Sequence, residues 1–253
     1  MIALWLITLA IILLAVGISG GVHLFVRKRV SLEILERHRE VAGFLLAAMA
    51  AVYGALLAFV VVAVWEQLND AKSIVEREAT VVVSLHHNFD AFPELTRVPL
   101  QRLLKEYAES VIKDEWPTLA NGTRSTRTRD KLDLVETALR GYEPVTQSQI
   151  AFYQECVKLL SDLSDARQQR ILAGANSLPP VLWVVLLFGA VSTISFAYFF
   201  GTDNGRAQLA MSSLICASIL LILFLVFELD NPFGGANSLT PEAMQYALEF
   251  TLD

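Results

Sequence analysis

Apolar residues in this chain fall into four uncharged blocks instead of being spread along its length. The blocks are residues 2–26, 41–65, 178–200 and 209–227, and none contains Asp, Glu, Lys or Arg. At about 1.5 Å per helical residue, each is long enough to cross roughly 30 Å of hydrocarbon. The pattern predicts four membrane-spanning helices, paired by a short linker at 27–40 and a tighter one at 201–208. The first block has no positive leading segment and exceeds the about 7–15 apolar residues of a signal core, so it reads as a retained span.

Between the pairs, residues 66–177 are polar and helical in period. Leu68, Ala71, Val75, Ala79, Val82 and Phe89 keep a three-four spacing, with no Gly or Pro separating them from the second span. One continuous helix is therefore expected to run from that span to Pro93. The next helix is expected to open with Pro99 near its first turn and to end at Pro117. Its buried stripe would be Leu100, Leu103, Leu104, Tyr107, Val111 and Ile112. A shorter helix carries Leu132, Val135 and Leu139, and a last long one starts near Ser148 and runs past Leu160 and Leu163 toward Ala175. The expected fold is all-α, with four transmembrane helices and a helical extramembrane bundle inserted between spans 2 and 3. The expected parts are 1–65, 66–177, 178–227 and a closing segment, 228–253.

Composition agrees with a membrane protein: 54% of the 253 residues are hydrophobic and 18% are charged. The net charge of −6 offers nothing to nucleic acid. Charge also bears on orientation. The first linker holds Arg27, Lys28, Arg29, Arg37 and Arg39, whereas the residues before the first span and after the fourth have no Lys or Arg. The positive-inside rule then puts this linker in the cytoplasm, and the insert and both termini outside. Cys156 lies in the insert and Cys216 in the fourth span, so no disulfide is expected.

Enzymatic chemistry finds no foothold: there is no phosphate loop, nucleophile elbow or zinc-binding His-Glu-x-x-His, and nothing calls for a cofactor. His86 and His87 point about 100° apart on a helix, and His86 with Asp90 is at best a weak metal pair, so no metal site is assigned. The spans carry no fixed charge, which argues against proton-coupled transport. They do carry small-residue patterns. Gly17 and Gly21 form a helix-packing Gly-x-x-x-Gly, while Ala47, Ala51, Gly54, Ala55 and Ala58 give the second span a small face that could pack a neighbour or line a narrow conduit. Ser192, Thr193 and Ser195 read as hydroxyls bonded back to the preceding turn. Arg124, Arg127, Arg129 and Lys131 form a basic knot in the insert, most simply a solvated loop. After the fourth span, Asn231, Pro232, Phe233 and Gly234 make a corner, with Pro232 stopping the helix. Phe233 is expected at the membrane interface, Asp230 or Asn231 as a cap of that turn, and the tail from Thr240 as a short helix folding back onto the insert.

Three stretches, in order, resemble the bestrophin-like family of uncharacterised bacterial membrane proteins, which is related to the bestrophin anion channels. They are LLAFVVVAVWEQLNDAKSIVEREA at 56–79, YAESVIKDEWP at 107–117 and ELDNPFGG at 228–235. The resemblance implies a homo-oligomer, a pentamer by analogy, whose second helix lines an anion path and whose corner at Asn231–Gly234 abuts a neighbouring subunit. It also implies a multi-pass protein of a bacterial inner membrane. The acidic run that holds calcium in animal bestrophins has no counterpart in GANSLTPEAM, and Ala51, Val52, Ala55 and Leu56 stand where those channels carry a bulky neck. Bestrophins keep their helical region in the cytoplasm, the opposite of what the basic linker indicates. The expected function is an ion channel conducting chloride or another small anion. The alternative is a non-conducting, membrane-anchored sensor or scaffold whose bundle binds a partner or ligand.

Overall fold

The computed structural model describes residues 2–29, 39–121, 123–198, 204–235 and 238–250. Among these the chain is helical, with no strand. The helices are α1 (Ile2–Arg29), α2 (Arg39–Phe89), α3 (Glu94–Ser110), α4 (Trp116–Leu119), α5 (Thr126–Arg140), α6 (Gln147–Ala175), α7 (Pro180–Tyr198), α8 (Gly205–Leu229) and α9 (Glu242–Phe250), with a π turn at Val111–Glu115 joining α3 to α4. Four helical segments are long and apolar enough to cross a membrane, one at each block expected from the sequence. Arg37 of the basic linker lies outside the described residues.

The chain divides into two compact units, 1–65 with 178–230, and 66–177 with 231–253. In the first, α1 packs against α7 and α8, and α7 packs against α8. Helix α1 buries Ala15, Ser19 and His23, one residue per turn, and α8 buries Gln208, Ser212, Cys216, Ile219 and Leu223. The start of α8 is capped by Asn204, whose Oδ1 accepts from the Arg206 and Ala207 amides at 3.1 and 3.3 Å. The sequence offered Asp230 or Asn231 as a cap of the corner, and Asp230 is engaged elsewhere. Its Oδ1 accepts the Leu178 N–H at 2.7 Å, satisfying a donor just ahead of the two prolines that open α7. On α2 the buried side chains are Tyr53, Leu57, Val60 and Val64. The Tyr53 hydroxyl donates to the Leu186 carbonyl at 2.9 Å, and its ring lies over Gly189 of α7, where an added Cβ would stand 2.4 Å from the ring. Ser195 is bonded back to Val191, as expected, whereas the buried Thr193 hydroxyl, expected to do the same, has no hydrogen-bond partner among the described residues.

The second unit is a helical bundle. Its main core joins Val82, Leu85 and Phe89 of α2, Leu100, Leu104 and Tyr107 of α3, Leu132, Val135 and Leu139 of α5, and Leu160 and Leu163 of α6. Helix α2 is unbroken from Arg39 to Phe89, as its spacing predicts. Two proline expectations fail. Helix α3 starts at Glu94 behind Pro93, so Pro99 sits inside it. Pro117 does not end the helix either. The widened turn, in which the Trp116 N–H bonds the Val111 carbonyl five residues back, leads into α4 with Pro117 in its first turn, where a missing N–H is harmless. Helix α6 begins with a full capping box between Thr146 and Gln149. The basic knot is mostly paired: Lys131 donates to Glu106 at 2.6 Å, Arg127 to Asp114 at 3.2 Å, and Arg129 lies 3.8 Å from Asp133.

The Tyr53–Gly189 contact sets a prediction. Gly189→Ala should displace Tyr53 and lower the unfolding free energy of the detergent-solubilised protein by about 1–3 kcal/mol, the usual cost of overpacking. Tyr53→Phe keeps the ring and should lose only about 1 kcal/mol with its hydrogen bond. Equal losses in the two variants would show that the close approach is relaxed elsewhere.

Candidate functional site

Ala47, Ala51, Gly54, Ala55 and Ala58 are all exposed on the described chain. At about 100° per residue their face centres roughly 135° around α2 from the Tyr53–Leu57–Val60–Val64 face that packs within the unit. A Cβ placed on Gly54 would meet nothing within 4 Å. Gly17 and Gly21 behave alike: α1 packs through Ala15, Ser19 and His23, and both glycines look into open space. The small-residue surfaces singled out from sequence are therefore turned away from the unit's own helices.

The corner lies in the second unit. Phe233, expected at a membrane interface, is 7% exposed and packs with Ala71, Val75, Leu119 and Ile171. Its ring meets Trp116 edge to face with centroids 5.5 Å apart. Two backbone bonds close the corner, from the Gly234 N–H to the Asn231 carbonyl at 3.1 Å and from the Leu239 N–H to the Pro232 carbonyl at 2.8 Å. Gly235 has φ of 84°, a conformation that glycine reaches without penalty. The tail does fold back as expected: α9 buries Met244 and Ala247 and packs on α3 and the π turn. The Asn-Pro-Phe-Gly and Glu-Trp-Pro stretches, far apart in sequence, thus meet.

Behind Trp116 lies a group of residues that the sequence reading did not single out. Glu78 of α2, Glu115 of the π turn, and Arg167 and Arg170 of α6 form a buried ion cluster. Arg170, 0% exposed, donates from Nε to Glu78 Oε2, and its Nη2 reaches Glu115 Oε2 at 2.7 Å and Glu78 Oε1 at 3.2 Å. Arg167 forks onto Glu115 at 2.6 and 3.1 Å, and also donates to the Ser125 carbonyl at 3.2 Å. The Ser125 N–H returns a bond to Glu115 at 3.3 Å, and the Tyr107 hydroxyl donates to Glu78 at 2.6 Å. Two positive and two negative charges balance. Burial, followed by the charge of Glu78, holds the Tyr107 hydroxyl far above the ordinary phenol range. Burial alone would lower the Arg170 pKa, but the Glu78 charge and hydrogen bond, with Tyr107 and Glu115, outweigh it and raise it. Arg170 Nη1 has no hydrogen-bond acceptor, while the guanidinium carbon sits 5.7 Å from the centre of the Trp116 ring.

The sequence did hold a signal for this cluster. Cys156, Leu160 and Leu163 set a stripe on α6 that continues at three-four spacing onto Arg167 and Arg170, and Glu78 sits beside Val75, Ala79 and Val82 on α2. Opposite charges on two apolar stripes are a pairing pattern. His86 and Asp90 form no comparable centre: Gln101 occupies the Asp90 carboxylate at 3.0 Å, and burial lowers the His86 pKa against the opposing pull of Asp90. Among the described residues no three His, Cys, Asp or Glu side chains cluster as a metal site would require. Cys156 and Cys216 are both free and buried, and burial lifts the Cys156 thiol to about 12.

A family model, the bestrophin-like domain, matches residues 11–244. The chain belongs to the bestrophin-like family. Among solved structures, a bacterial bestrophin homologue from Klebsiella pneumoniae is similar at 16% identity, with 97% of each chain covered and a TM-score of 0.73. A single-substitution variant of that homologue gives 15% identity over 97% of this chain and 98% of the other, with a TM-score of 0.74. At such identity the likeness carries the fold. Comparison with curated proteins finds no match. This bestrophin-like chain therefore has the fold of a multi-pass integral membrane protein, with four helical segments long and apolar enough to span.

The buried charges predict unequal costs. Arg170→Met leaves Glu78 without its main partner and should destabilise the protein by about 3–5 kcal/mol, whereas Lys72→Ala, which removes an exposed 3.9 Å pair with Glu76, should cost no more than about 1 kcal/mol. Chemical denaturation of the two purified variants measures both. Comparable losses would show that the cluster is less desolvated than its geometry indicates.

Proposed function

We propose that this bestrophin-like protein is the subunit of a homo-oligomeric ion channel, pentameric and anion-conducting, whose conduction path is lined by α2. The observation that carries the reading is the placement of Ala47, Ala51, Gly54, Ala55 and Ala58. An uncovered stripe of small side chains, opposite the face by which α2 packs in its own unit, suits the axis of a ring of copies. Membership of the bestrophin-like family supports the same reading. The spans as read from sequence hold no fixed charge, so the ion would be favoured by backbone dipoles and helix ends, and bulk hydration would be limited by the narrowness of the path. Gly17 and Gly21, open on α1, would serve packing between copies. The acidic run that holds calcium in animal bestrophins has no counterpart after the corner, so calcium gating is not part of the proposal. The basic linker at 27–40 favours an orientation in a bacterial inner membrane with the 66–177 bundle outside the cytoplasm.

Flux from liposomes holding the purified protein, under separate chloride and potassium gradients, tests the function. Chloride flux should appear and fall at least tenfold in Ala55→Trp, with the oligomer intact by size. Absence of flux from inserted, oligomeric protein would favour the non-conducting sensor or scaffold instead. Orientation has its own test: alkaline phosphatase fused after Asn121 should be active if the bundle is extracytoplasmic, and inactive if the charge rule fails here.

A further inference from the structure

Beyond conduction, we infer that the described residues 231–235 and 238–250 act as a strap whose seating is linked to the buried ion cluster through Trp116. The strap is held at two places. Phe233 enters a socket of Trp116, Leu119 and Gly174, and Met244 with Ala247 presses α9 onto the bundle. Leu239, Ala243 and Tyr246 of the strap face α2 across a cleft of about 540 Å³ whose other side is Lys72, Val75 and Glu76. A segment with two small anchors and an open cleft beneath it belongs to the low-stability end of a fold.

Trp116 touches both the strap and the cluster. Its Nε1–H donates to the Leu239 carbonyl at 3.2 Å and its ring meets Phe233 in a T-shaped contact, so the seated strap fixes the indole. Against the same indole lies the Arg170 guanidinium, 5.7 Å away, with its one unaccepted donor. When the strap leaves, the indole loses its acceptor and its ring contact, and Arg170 loses a fixed π face in a site that offers Nη1 no other partner. The reverse also holds, because a coupling free energy is shared by both sites. A cluster that cannot hold Arg170 in place loosens the indole, and with it the strap. Gly174 keeps the socket tight: a Cβ there would lie 3.1 Å from the Leu119 carbonyl oxygen and 3.4 Å from the Phe233 ring.

The test is thiol labelling of full-length protein in detergent, with Cys156 and Cys216 replaced by alanine and Met244→Cys as the reporter and reference, since Met244, on the strap's own helix, is buried against the bundle while the strap is seated. Phe233→Ala should speed labelling at least tenfold. Arg170→Lys keeps the charge, loses the planar group and touches no strap residue, yet it should also speed labelling several-fold. Combined with Phe233→Ala, it should add less than its effect alone. If Arg170→Lys prevents folding, Glu78→Gln serves as the remote perturbation. The inference is overturned if a folded Arg170→Lys or Glu78→Gln protein labels at the reference rate, or if the remote and strap substitutions multiply independently. No ion flux enters these readouts, so loss of the channel reading would leave them standing.

Discussion

A guanidinium with no exposure to water demands that carboxylates be brought to it and kept there. In the bundle that demand falls on Arg170, and α2, the π turn and α6 meet where it is satisfied. Arg167 takes the remaining face of Glu115 and ties in the start of α5 through Ser125. Apolar burial on either side supplies the general attraction, but it is indifferent to rotation of one helix against another. The forked bonds are not indifferent, because each specifies a direction as well as a distance. The cluster can therefore fix the register of helices that hydrophobic contact alone would leave loosely defined.

Much of the architecture was legible beforehand, for a physical reason. Membrane spans need length and freedom from charge, and bundle helices need a three-four stripe. Both are properties of one segment at a time, so Ala71 to Phe89, Leu132 to Leu139 and the long helix through Leu160 and Leu163 could be read directly. What was not legible depends on pairs. Pro117 looked like a stop because proline removes a donor, but a widened turn just before it makes that donor unnecessary. Asp230 looked like a local cap because of its position, yet it serves the Leu178 amide 52 residues away. The Glu78–Arg170 pair spans 92 residues, and only the charge signs on two stripes hinted at it.

The candidate conduit face was found from sequence as a run of small residues, without any indication of which way it pointed. The fold adds that direction. Tyr53, with its bond to Leu186 and its ring over Gly189, fixes the rotation of α2 against α7. Small residues are placed opposite bulky buried ones by the helical period itself. The corner had the reverse history. Its residues were recognised at once, and their surroundings in the bundle were not.

The π turn at Val111–Glu115 has a consequence for counting. A turn of this kind accommodates one extra residue, so everything beyond it is displaced in phase by about 100° from the helix before it. A helical projection drawn at constant period through 94–119 therefore goes out of step just where Glu115, Trp116 and Pro117 begin. Relatives of different length at this point can agree in structure while appearing misaligned by one position, and a gap placed inside the turn would restore their phase.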